Sequence, residues 1–129
     1  MSPMFLAAAT LAFASLGKAD EPSRYSGSDW ATLDPKQVQA AAKAIDPAQL
    51  ADCDEAIIDQ KSMRVVHEDG TAEMQDETFT EVLTEKGKQA NKTLTRGFMI
   101  PYHTVEVSRL EVIKPDGTVV PVDVAANAK

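Results

Sequence analysis

The sequence predicts a mainly β fold: an antiparallel sheet or β-sandwich led by a short N-terminal helix, read as an incomplete domain. Three observations predict it. From Glu55 onward the apolar residues recur with a period near two. Asp-Gly pairs at Asp69-Gly70 and Asp116-Gly117 separate such runs, as hairpin turns do. The alternation of strand and helix that builds a parallel α/β sheet does not occur in the pattern.

The elements follow in chain order. Residues 1–19 read as a signal peptide. Met4 to Gly17 is an apolar run without charge, shorter than the roughly 20 residues a membrane-spanning helix needs. Gly17-Lys18-Ala19 then places small residues where a signal peptidase reads, so the expected cut follows Ala19. A buried N-terminal helix is the competing reading, and the lack of a polar face argues against it. Residues 20–33 are rich in Pro, Ser and Gly and read as a linker, with Trp30, the sole tryptophan, a candidate to dock on the domain.

Residues 34–51 read as a short helical segment. Asp34 is an N-cap, Pro35 suits the first helical position, and an Ala-rich body follows. Pro47 ends this helix or starts a second short turn capped by Asp46. Val38, Ala41, Ala42 and Ile45 fall on one face, and the expected role is to cover a sheet edge.

Residues 52–129 read as the antiparallel β domain. Ala56–His67 and Ala72–Thr84 are strands joined by a turn at Glu68–Thr71. Glu85–Lys88 is read as the next turn, and Thr93–Ile100 as a third strand. In His103–Lys114 the apolar phase slips: Val105 and Val107 share one face, Leu110 and Val112 the other. A bulge near Ser108 to Leu110 would restore a single apolar face, and burial of both faces would equally account for the slip. Pro115-Asp116-Gly117 turns the chain into a last strand, which Pro121 restricts to a sheet edge.

Composition bounds the function. The chain has 129 residues, which fits one domain. Hydrophobic residues make up 43% and aromatics 5%, so the core draws on aliphatic side chains. With 13 basic and 20 acidic residues the net charge is −7, which disfavours binding to nucleic acid or anionic lipid. After leader removal no membrane span is expected.

Few residues invite chemistry. Cys53 is the only cysteine and cannot form an internal disulfide. Its neighbours Asp52, Asp54 and Glu55 disfavour a thiolate. Those three carboxylates lack the glycine and spacing of a calcium loop and read as a solvated acidic turn. His67 and His103 read as surface or packing residues. Asn91-Lys92-Thr93 matches a glycosylation sequon, a pattern that arises often by chance. No phosphate loop, metal-spaced Cys or His pair, or Gly-x-Ser-x-Gly elbow is present. The expected inventory is therefore no catalytic residue, no metal ligand and no cofactor.

An ordered series of short motifs carries a resemblance. Leu83, Thr84, Glu85 and Gly87 form an apolar-Thr-Glu-x-Gly segment, Pro101-Tyr102 follows, and a Val- and Glu-rich strand runs into the Lys114-Pro115-Asp116-Gly117 turn. The upstream strand, Asp-Gly turn and charged strand fit the same pattern. Over roughly Asp52 to Val124 the chain resembles the N-terminal β-domain of unknown function that precedes a transglutaminase-like domain in secreted or periplasmic bacterial proteins. The resemblance implies a β-sandwich-like fold and a non-catalytic accessory role, with any Cys, His and Asp of a catalytic site in a later domain. It implies as partners that domain or a cell-envelope peptide or protein, and a periplasmic or extracellular location. The family domain usually continues with more strands, so the last hairpin is expected to be an internal part of a larger sandwich. The alternative is a free-standing secreted β-sheet binding or structural protein.

Overall fold

The computed structural model describes residues 6–15 and 33–129. Its centre is one five-stranded antiparallel sheet in the order β2-β3-β1-β4-β5. The strands are β1 (Leu6–Ser15), β2 (Glu55–Val66), β3 (Ala72–Val82), β4 (His103–Ile113) and β5 (Val119–Pro121). Helix α1 (Pro35–Ala44) precedes β2, α2 (Glu85–Ala90) follows β3, and α3 (Val124–Asn127) follows β5. The expected antiparallel sheet with a short helix before it is what forms.

Leu6–Ser15, expected as the apolar part of a leader, is here the central strand. It pairs with β3 on one side and β4 on the other. A continuous apolar run suits a central strand paired on both edges as well as it suits a leader, so periodicity alone does not separate the two. The expected cut after Ala19 and the docking of Trp30 lie outside the described residues.

α1 begins as expected. The Asp34 side chain accepts the Lys36 N–H at 2.9 Å, and Pro35 takes the first turn. Asp46 caps a single 3-10 turn, Pro47–Leu50, in the same way. The helix does more than cover an edge. Val38 is buried against Phe79 and Ile113, residues of the two strands that flank β1, with Leu33 and Ile58 packed around them. Gln39 also donates to the Lys114 carbonyl at 3.2 Å. α1 thus lies across the sheet, because β3 and β4 both present a large apolar side chain there.

The two hairpins share one geometry. Gly70 N–H donates to the His67 carbonyl and His67 N–H to the Thr71 carbonyl. Gly117, Lys114 and Thr118 repeat the pattern. Gly70 (φ 85°) and Gly117 (φ 88°) take the left-handed conformation. That is the three-residue hairpin loop, a type I turn closed by a left-handed glycine.

The phase slip in β4 is a bulge. Thr10 pairs with Arg109 while Leu11 pairs with Val107, so Ser108 is the extra residue. Val105, Val107, Leu110 and Val112 thereby share a face, opposite the one that carries Arg109, Glu111 and Ile113. A second irregularity, at Ile58 in β2, turns that side chain toward α1.

Two expected elements are replaced. Glu85–Ala90, whose first residues were read as a turn, is a helix, because Thr84 caps it. Residues 93–100, read as a strand, have no regular structure. Both edges of β4 are already paired, with β1 and β5, so this segment finds no edge beside the strand it precedes. The last strand ends at Pro121, and Asp123 caps α3. Val124 opens that helix. Among the described residues no helix is long and apolar enough to cross a membrane.

Candidate functional site

Two polar clusters concentrate the chemistry-bearing side chains. The first joins the start of β2 to α2. The Asp54 carbonyl accepts the N–H groups of Leu83 (2.9 Å) and Thr84 (3.3 Å). The Asp54 carboxylate accepts the Thr84 hydroxyl at 2.7 Å and the Lys86 ammonium at 2.6 Å. Thr84 Oγ1 in turn accepts the Gly87 N–H at 3.1 Å, which caps α2. Gly87 lies so close to Asp54 that a Cβ there would sit 2.1 Å from the Asp54 carbonyl oxygen. Asn91 donates to the Glu55 carboxylate and to the Gly87 carbonyl.

Each residue of the Thr-Glu-x-Gly motif thus has a mechanical role. Thr84 caps and bridges, Gly87 permits the close approach, and Glu85 puts a negative charge at the helix N-terminus, where the dipole favours it. The Lys86 ammonium, with help from the Thr84 hydroxyl, holds the Asp54 carboxyl below the usual aspartate range. Asp54 correspondingly raises the Lys86 ammonium above its ordinary value. The acidic turn around Cys53 is therefore not merely solvated, since Asp54 and Glu55 are tied to α2. Cys53 itself is exposed.

The second cluster lies under α1. Glu77 is fully buried in the centre of β3. One of its oxygens accepts from Arg109 Nη2 at 2.6 Å and the other from the Leu33 N–H at 2.8 Å. Arg109 Nε also approaches Glu111 at 3.8 Å, an ion pair too long for a hydrogen bond. A buried carboxylate costs free energy unless it is paired and hydrogen-bonded, and Glu77 is both. Its geometry ties the residue that leads into α1 to the middle of the sheet. Gln75 Oε1 and Glu81 Oε2 are buried on the same face without a hydrogen-bond partner among the described residues.

The histidines stand apart. His67 lies 3.8 Å from Glu73 beside the first hairpin, and His103 Nδ1 accepts the Met99 N–H at 3.3 Å. They follow β2 and open β4, three strand positions apart, or about 14 Å. One metal ion could not bind both. Among the described residues no group of three or more His, Cys, Asp and Glu could hold a metal.

The sequence reading singled out Asp54 and Glu55 only as an acidic turn, and it missed Glu77 and Arg109. A charged residue at an inward position of a strand is the signal that could have found the pair. The pairing partner, 32 residues away, has no local signature. A third feature was read differently. Leu94, Phe98, Met99, Ile100 and Tyr102 are exposed on the segment between α2 and β4, where a strand was expected.

The described part is thus a small antiparallel β domain whose polar clusters brace one element against another. Residues 68–127 match a family described as "Domain of Unknown Function with solved-structure structure" (DUF3857). The match runs from the first hairpin through β3, α2, β4 and β5 into α3, so it covers Thr84–Gly87 and the Lys114–Gly117 turn. β2, which the sequence reading also included in its resemblance, lies outside it. Neither the search of curated proteins nor that of solved structures finds a match.

Proposed function

We propose that this chain is a non-catalytic accessory domain of a secreted transglutaminase-like protein. It positions or presents material to a catalytic domain that carries the Cys, His and Asp. The observation that carries the reading is the use made of the family-like motif. Thr84, Glu85, Gly87 and the Lys114–Gly117 turn cap a helix, permit a close approach and close a hairpin. Residues spent this way shape a scaffold. The match of residues 68–127 to a domain of unknown function agrees with it. So does the face opposite α1, where Val105, Val107, Leu110 and Val112 are only half-buried. Such a surface suits packing against another domain. The apolar run at the N-terminus and the Gly-Lys-Ala that follows support a leader and a periplasmic or extracellular location.

Sequencing the coding DNA through and beyond codon 129 tests this. The expected result is a frame that continues into further strands and then a Cys…His…Asp domain. A stop codon directly after Lys129 would sink the reading. The alternative, a free-standing secreted binding protein, is favoured by one observation: the exposed Phe98, Met99, Ile100 and Tyr102 on the segment before β4. A stop codon together with one sharp unfolding transition would favour it.

A further inference from the structure

The strand order places the first strand of the chain between two strands that come much later. Leu6–Ala14 has ladder partners in β3 on one side and in β4 on the other. β3 and β4 are therefore two strand spacings apart, about 10 Å, and β1 fills the interval. Without β1, each would present an open row of N–H and C=O groups. The space between them is a slot one strand wide.

Its walls define what fits. Position 8 of the chain lies between Phe79 and Glu111, position 10 between Glu77 and Arg109, and position 6 between Glu81 and Ile113. Phe79 and Glu77 are fully buried and Ile113 nearly so, so the face under α1 is already filled. Both Glu77 oxygens are already taken, by Arg109 and by the Leu33 N–H, and a further carboxylate between these walls would be buried beside Glu77 without a partner of its own. The slot therefore takes small, uncharged residues at positions 8 and 10. On the other face, positions 7, 9, 11 and 13 adjoin Val112, Leu110, Val107 and Val105, which favours apolar residues. Leu-Ala-Ala-Ala-Thr-Leu-Ala-Phe-Ala-Ser meets every condition.

The same ten residues are the apolar part of the expected leader. A segment removed after Ala19 cannot also hold the centre of the sheet. We propose that the slot between β3 and β4 is a strand-acceptor site. Leu6–Ser15 occupies it before processing. In the processed chain an extended, charge-free segment of a partner polypeptide takes its place, antiparallel to both walls. Main-chain hydrogen bonds supply the affinity and the small positions supply the selectivity. The inference rests on the secreted location in the proposed function for the removal of the leader, and on the register alone for the chemistry of the occupant.

The test keeps every residue of the chain. A protease site is placed in the connection between Ser15 and Leu33, and the full chain is cut there. Fluorescent peptides spanning residues 4–17, with terminal lysines for solubility, are then added, one with the natural sequence and one carrying Ala8→Glu. Anisotropy and gel filtration report uptake, and circular dichroism reports the sheet. The natural peptide should exchange in, or restore the β signal if the cut chain has lost it, and bind at least tenfold more tightly than Ala8→Glu. No uptake and no restoration, or equal uptake of both peptides, overturns the proposal. A dimer of the uncut chain that Ala8→Glu abolishes would assign the slot to a second copy and overturn the partner assignment. No catalytic domain takes part in this assay. A stop codon after Lys129 would therefore remove the accessory-domain reading without touching the slot, and failed uptake would do the reverse.

Discussion

Replacing Gly87 by Ala isolates one close approach. Gly87 lies in α2 without a positive φ, so alanine is compatible with its backbone, and in an open helix the change would stabilise by about 1 kcal/mol. The tertiary structure reverses the sign. The new Cβ would sit 2.1 Å from the Asp54 carbonyl oxygen and 2.9 Å from its carbon, both backbone atoms that no rotamer change can move. α2 must shift away from Asp54. That shift stretches the bonds from Leu83 and Thr84 to the Asp54 carbonyl and from the Thr84 hydroxyl to its carboxylate. Three hydrogen bonds at roughly 1 kcal/mol each outweigh the helix gain, for a net loss of about 2 kcal/mol. Urea unfolding followed by circular dichroism reads this directly. With a slope of about 1–3 kcal/mol per molar for a small protein, the midpoint should fall by about 1 M. An unchanged or higher midpoint for Gly87→Ala would show that α2 is not held against Asp54, and the mechanical account of the Thr-Glu-x-Gly motif would fail.

Three further outcomes are expected. Because Lys86 and Thr84 hold the Asp54 carboxyl below its unfolded range, their contribution is present above that range and is lost as pH falls through the folded value. A urea-midpoint series below pH 5 should therefore show a steeper acid loss for the natural chain than for Asp54→Asn, and parallel curves would contradict it. Glu77→Gln leaves the partly buried Arg109 with only the longer ion pair to Glu111. It should cost about 3 kcal/mol, while the double change Glu77→Leu with Arg109→Met should cost less than the sum of its parts, as a double-mutant cycle in urea would show. Gly70→Ala meets nothing within 4 Å, so its cost is backbone strain alone, about 1–2 kcal/mol. A thermal-melt comparison showing no loss would mean that the first hairpin is not the left-handed glycine loop.

Much of the sheet was readable without coordinates. β2, β3 and β4 fall where the period of two places them, within one or two residues at their ends. Asp34, Asp46 and the two Asp-Gly turns did as their local chemistry dictates. The extra residue in β4 was one of the two outcomes the phase slip allowed, since apolar side chains on opposite faces need either a bulge or two covered faces, and the register selects the bulge. The errors share a cause. Residues 93–100 have strand character but no free edge beside β4, and the availability of an edge is a property of the whole sheet. Glu85–Lys88 reads as a turn until Thr84 is seen capping a helix against Asp54, 30 residues away.

The sequence by itself determined an acidic, mainly antiparallel β domain with capped helices and glycine-closed hairpins, because each of those features is set by neighbouring residues. Only the tertiary structure decided that α1 lies across the sheet through Val38, that Glu77 finds Arg109 in its interior, and that Leu6–Ser15 stands between β3 and β4. Those outcomes depend on contacts between residues far apart in the chain. No local pattern encodes which strand will lie beside which, since an apolar run can satisfy its hydrogen bonds wherever two open edges are offered.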